Sequence, residues 1–171
     1  MDFSGVTISG GVTITPPGGG GGGTQKAIFG YGITTVNVSM TNLVSNTGVV
    51  AADTTGVGTA RQYIAASSYG TDKAIFGYGF GGGSNQSVTN LVSNTGVVAT
   101  DTAGVGTART ALAAASYGYD KAIFGYGHIN PSTYYSITNL VSNTGVVSAD
   151  VTGVGTARRN LAAASYGSGV I

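Results

Sequence analysis

The chain contains no cysteine, no tryptophan and no glutamate, and it has one histidine. Without cysteine there is no disulfide, no thiol nucleophile and no thiolate metal site. His128 alone does not make a zinc site of ordinary composition. Paired-carboxylate chemistry would have to rely on aspartate alone. No Gly-x-Ser-x-Gly elbow accompanies the histidine, so a serine triad has no support. Charge is scarce too: 8% of residues are Asp, Glu, Lys or Arg, against about 25% in ordinary soluble domains. A net charge of +1 leaves no footprint for nucleic acid. No apolar run nears the roughly 20 residues of a membrane helix, so no membrane insertion is expected. The first residues lack the basic region and apolar core of a secretory leader. The glycine runs at 18–23 and 81–83 do not lead into a Gly-Lys-Ser/Thr helix start, so neither reads as a phosphate loop. Neither an enzyme nor a cofactor is expected.

What the chain does have is repetition. KAIFGYG occurs at Lys26–Gly32, Lys73–Gly79 and Lys121–Gly127, at spacings of 47 and 48 residues. Around each copy return TNLVSNTGVV, then GVGTAR, then a small-residue run ending in SYG. A period of about 40–50 residues marks propellers, solenoids or arrays. Val, Ile, Thr and Tyr together with regularly placed glycines predict strands joined by turns. The run Leu112–Gly118 is alanine-rich but shorter than the roughly 12–15 residues at which an isolated helix becomes marginal, so it too is read as strand. Four short strands per unit of about 47 residues result.

Ahead of the repeats, Val6 and Ile8 alternate with Thr7, and Val12 and Ile14 alternate with Thr13. This is a strand pattern of period two, interrupted at Gly10–Gly11. Pro16, Pro17 and six glycines follow, the composition of a flexible tether. The expected organisation is a β-strand docking arm over 1–15, a Pro/Gly linker over 16–25 and a three-repeat domain over 26–171. A disordered N-terminus is the plain alternative.

The order Arg61, Ala65–Ala66, Asp72–Lys73, Gly77–Tyr78–Gly79, Asn94–Thr95–Gly96 resembles a kelch-type repeat over residues 26–167. The chain departs from that family in lacking tryptophan and in carrying Gly-Tyr-Gly where the family has a diglycine. The near-identical tandem words and the arm FSGVTISGGVTIT also resemble repeat proteins of tailed bacteriophage virions, especially those of cyanophages. The first resemblance implies an all-β, propeller-like fold of three four-stranded blades. The second implies a virion location, as a fibre, tip or decoration component engaging other virion proteins through residues 1–15.

Strand counting adds a constraint. The repeat region opens at Lys26 on the second strand of a blade and ends at Leu161–Ser165 on the first strand of one. One blade is thus split between the two ends. Three blades are too few for a ring, which usually has about 4–8. Two chains give six blades and three give nine, so closure by a homodimer is favoured over a homotrimer.

Nearly every charge sits at a repeat position: Lys26, Lys73 and Lys121; Arg61, Arg109 and Arg158; Asp53, Asp101 and Asp150. These read as structural charges, partly buried ion pairs or strand-end hydrogen bonds between blades. A calcium ring of the aspartates is the rival, but calcium sites recruit several oxygens from one loop. The segments after each GYG are the variable ones: 33–39, 80–87 and 128–136. Phe80 and Asn85 in the second, and His128, Asn130, Tyr134 and Tyr135 in the third, are the candidate binding residues for a host surface glycan or protein. Host attachment through these loops is the alternative function.

Overall fold

The computed structural model describes residues 26–167 and the backbone of Thr7–Ile8 and Val12–Thr13. Thr7–Ile8 (β1) and Val12–Thr13 (β2) pair antiparallel with each other. The rest of the arm within 1–15, and the whole linker 16–25, lie outside the described residues.

The repeats form three antiparallel sheets, and no helix occurs among the described residues. The protein is all-β. The first sheet pairs Ala27–Ile33 (β3) with Asn37–Val44 (β4). The second orders Ala65–Tyr69 (β5), Lys73–Gly77 (β6) and Thr89–Val92 (β9). The third repeats it with Ala113–Tyr117 (β10), Lys121–Gly125 (β11) and Thr138–Val141 (β14). Short hairpins follow the Gly-Tyr-Gly turns: Phe80–Gly81 (β7) with Ser84–Asn85 (β8), and His128–Asn130 (β12) with Thr133–Tyr134 (β13).

Two expectations are corrected. The fourth segment of each unit is not a full strand. It touches its sheet only at isolated bridges, such as Thr89 with Thr102 and Val92 with Val98. The Asn90 side chain reaches across to the Ala99 carbonyl and interrupts the backbone ladder. Leu161–Ser165 is not a strand either. Its counterparts β5 and β10 each pair with a KAIFG strand, and among the described residues no strand pairs with 161–165.

The sheets pack face to face, with apolar clusters between them. Phe76, Tyr31 and Val92 fill the space between the first and second sheets. Ile75, Tyr78, Leu112, Phe124 and Val141 fill that between the second and third. Consecutive residues of a strand point to opposite faces, so in β6 Ile75 serves one interface and Phe76 the other. That is why KAIFG is apolar without alternation.

Phe76 and Phe124 each rest on a glycine of the sheet before. A Cβ on Gly77 would stand 2.7 Å from Cζ of Phe124, and one on Gly30 would stand 2.9 Å from Cζ of Phe76. The tyrosine between the two glycines holds a left-handed backbone, φ 62° at Tyr78, which is unusual for a bulky residue. Its ring is fully buried and meets Phe124 edge-on at 5.2 Å. We predict that Gly77→Ala lowers unfolding free energy by about 1–3 kcal/mol through overpacking, and that Phe124→Ala lowers it by about 3–5 kcal/mol. Chemical denaturation checks both.

Candidate functional site

The polar residues of the repeat converge on the seams between sheets. Arg61 and Arg109 are fully buried. The Arg109 guanidinium lies 4.5 Å from the centre of the Tyr78 ring in the second sheet. Its Nη2 donates to Asn139 Oδ1 at 2.8 Å in the third sheet, and its Nε donates to the Tyr126 carbonyl at 2.6 Å. Its Nη1 donates to the Thr107 carbonyl at 3.1 Å and stands 4.0 Å from Asp150. Asp150 accepts from the Thr107 amide and hydroxyl and from Asn139 Nδ2. One seam earlier, Arg61 lies 4.8 Å from the Tyr31 ring, donates to Asn90 and stands 3.5 Å from Asp101. Asp101 accepts from Thr59 and Asn90 in the same way. At this seam Arg61 Nε and Nη1 make no hydrogen bond, so the contact rests on Nη2 with Asn90 and on the ion pair with Asp101.

Electrostatics follow from that burial. Desolvation pushes the Tyr31 and Tyr78 hydroxyls up to about 12, against the pull of the adjacent arginines. Burial also raises the Asp101 carboxyl, but Thr59, Asn90 and Arg61 together outweigh it and hold it below the usual aspartate range. Asp150 is held low by the same balance through Thr107, Asn139 and Arg109. Burial lowers both arginines, while the facing tyrosine and carboxylate oppose it; the guanidinium stays charged at any pH a protein meets.

The lysines behave differently. Lys73 pairs with Asp72 at 2.9 Å and Lys121 with Asp120 at 3.2 Å, both near solvent. Such pairs contribute little. Lys26 is exposed.

The variable hairpins line one flank. Asn37 of the first donates to the Phe80 carbonyl of the second, and Asn85 of the second donates to the Ile129 carbonyl of the third. Phe80 and Asn85 therefore join hairpins. Gly82 and Gly83, both at positive φ, form the two-residue turn between β7 and β8. Asn130 accepts from the amide and hydroxyl of Ser132 and shapes the third turn. The Tyr135 amide donates to the Gly127 carbonyl. His128 and Tyr134 stack at 6.2 Å, and Arg159 lies 5.6 Å from the Tyr134 ring. Those three side chains form a small aromatic and cationic platform.

Sequence reading singled out the arginines and aspartates but not Tyr31, Tyr78, Asn90, Asn139, Thr59 and Thr107. The signal was their recurrence in GYG, TNLV and GTAR. No group of three His or Asp residues converges as a metal site among the described residues. No protein-family model matches the chain, and no curated protein matches it.

Arg109→Ala leaves the buried Asn139 Oδ1 without its donor and is expected to cost about 1–3 kcal/mol, measured by denaturant unfolding. The pH dependence has a definite sign. Asp101 and Asp150 sit below the ordinary value of about 3.9, so their contribution is complete above that pH. It is lost as pH falls through the lower folded-state values. Unfolding stepped below about pH 4 should show a steep loss of stability, and Asp101→Asn with Asp150→Asn should flatten it.

Proposed function

We propose that this chain is a structural component of a tailed-phage virion, a fibre, tip or decoration protein, rather than an enzyme. In this reading it docks through residues 1–15 and displays a kelch-like, propeller-type scaffold whose ring is completed by further copies of itself. The observation that carries it is the use made of the recurring polar groups. Arg61, Arg109, Asp101, Asp150, Asn90 and Asn139 all face the seams between sheets and bind one another. A chain whose repeated polar residues are engaged in holding its own sheets together is built to bear load and to be displayed. A low-charge surface suits a protein fixed in an assembly. Two copies bring six blades, within the usual range of about 4–8.

Removing residues 1–23 tests the docking role. The shortened protein is expected to keep its cooperative unfolding transition and to be missing from purified particles assembled with it. Normal incorporation of the shortened protein would refute docking by the arm.

A second reading rests on the platform of His128, Tyr134 and Arg159, which lies on the flank formed by the variable hairpins. Stacked aromatics beside a cation are suited to a sugar ring or an acidic peptide. If these hairpins attach the particle to a host, Tyr134→Ala with Tyr135→Ala lowers cell-surface binding at least tenfold without changing Tm. Undiminished binding in a pull-down on host cells would discard that role.

A further inference from the structure

The two ends of the stack carry complementary halves of the internal seam. At the C-terminal end Arg158 stacks 4.2 Å from the Tyr126 ring and donates to the Thr156 carbonyl at 3.1 Å, as Arg109 does with Tyr78 and Thr107. Arg158 is exposed, however, whereas Arg61 and Arg109 are fully buried. The Asn–Asp pair that receives each of those two arginines belongs to the next unit, and no such pair meets Arg158 among the described residues. At the N-terminal end Asn42 donates to Asp53 at 2.8 Å, as Asn90 does to Asp101, and no arginine comes to them.

The backbone and the apolar layer show the same vacancy. Among the described residues the first sheet has β3 and β4 but no counterpart of β5 beside β3. Residues 162–166 are the corresponding segment without a sheet. It already sits where such a strand belongs. The Asn160 amide donates to the Ala111 carbonyl at 2.9 Å, as the Ala111 amide does to Tyr63 at 3.0 Å, and Ser165 Oγ donates to the Ser116 carbonyl at 2.8 Å. Phe29 is 62% exposed where Phe76 is 3% and Phe124 is 0%. A Cβ on Gly125 would meet only Thr138, at 3.4 Å, where the matching position on Gly77 meets a phenylalanine ring.

We propose that residues 162–166 of one chain supply the missing strand of the β3–β4 sheet of a second copy. The register follows β5 on β6 and β10 on β11: Ala162 faces Gly30, Ala163 faces Phe29, Ala164 faces Ile28, Ser165 faces Ala27 and Tyr166 faces Lys26. Arg158 enters the Asn42–Asp53 pair of that copy, whose Asp53 takes the Thr156 amide and hydroxyl. Phe29 of the copy covers Gly125 and meets Tyr126. The occupant is a second copy because every group needed at one end is present, in the right order, at the other. Such a contact joins different surfaces of identical chains, so it propagates until the ring closes. This seam rests on the reading that copies of the chain complete the scaffold.

The chain has no cysteine, so single thiols report the register directly. Chains carrying Ala27→Cys are mixed with chains carrying Ser165→Cys under mild oxidation. A disulfide-linked heterodimer is expected from the mixture and not from either variant alone. Phe29→Cys mixed with Ser165→Cys, two residues out of register, is expected to link at least tenfold more slowly. In native mass measurements the unmodified full chain is expected as a multiple of one chain. Arg158→Ala and Gly125→Ala are expected to weaken that assembly at least tenfold, with the circular dichroism of the single chain retained.

A multimer that ignores Arg158→Ala and fails to link at 27 and 165 overturns this seam and leaves closure by copies standing. A single-chain mass, whether the open edge is covered by the chain's own residues 1–25 or by nothing, overturns the seam and closure by copies together. Docking by the arm is decided separately, by incorporation of the protein lacking residues 1–23.

Discussion

The fold depends on a buried guanidinium shared between neighbouring sheets. A buried cation needs a partner for its charge and an acceptor for each N–H, and few surroundings provide both. Arg109 finds them only where the Tyr78 ring, the Asn139 amide and the Asp150 carboxylate come together. Those groups belong to two sheets, so the arginine fixes one sheet relative to the next in both spacing and rotation. The phenylalanine seated on glycine does the same for the apolar layer. A ring meeting bare backbone has one depth at which it fits, as Phe124 does over Gly77. Polar and apolar constraints thus act on the same seam, and each sharpens the other.

This arrangement explains an odd composition. A chain with so few charges places nearly all of them at repeat positions. Strand interiors can then be Ala, Val, Ile and Ser, which suit close face-to-face packing. The variable hairpins stand outside the seams and are tied to one another through Asn37 and Asn85. Their middles carry whatever turn chemistry closes them, two glycines in one and Asn130 in another. Scaffold and hairpin tips are therefore separable: the seam dictates the repeated words, and the hairpin tips are free to differ.

Much of this was legible in the residues. The threefold KAIFGYG marked the three repeated units, and the β-branched and aromatic content announced strands. The strand character of the alanine-rich runs at 65–69 and 113–117 was readable from their shortness. The fourth segment was less readable, because an asparagine side chain takes the place of a backbone partner there and leaves no mark in a hydrophobic pattern. The roles of Tyr31 and Tyr78 were also hidden. A tyrosine flanked by glycines looks like a turn residue, and only its neighbours show that its ring is a core element.

The sequence alone determined that the protein is all-β, repeats three times and concentrates its charge at repeat positions, since period, propensity and composition are local properties of the chain. Which carboxylate each arginine meets was decided only in three dimensions. Arg61 is eight residues from Asp53 in the chain yet pairs with Asp101, forty residues on. Sheet stacking brings the distant carboxylate close, whereas the near one belongs to the sheet behind. Pairing across a seam is set by which faces pack together, and no local pattern encodes that.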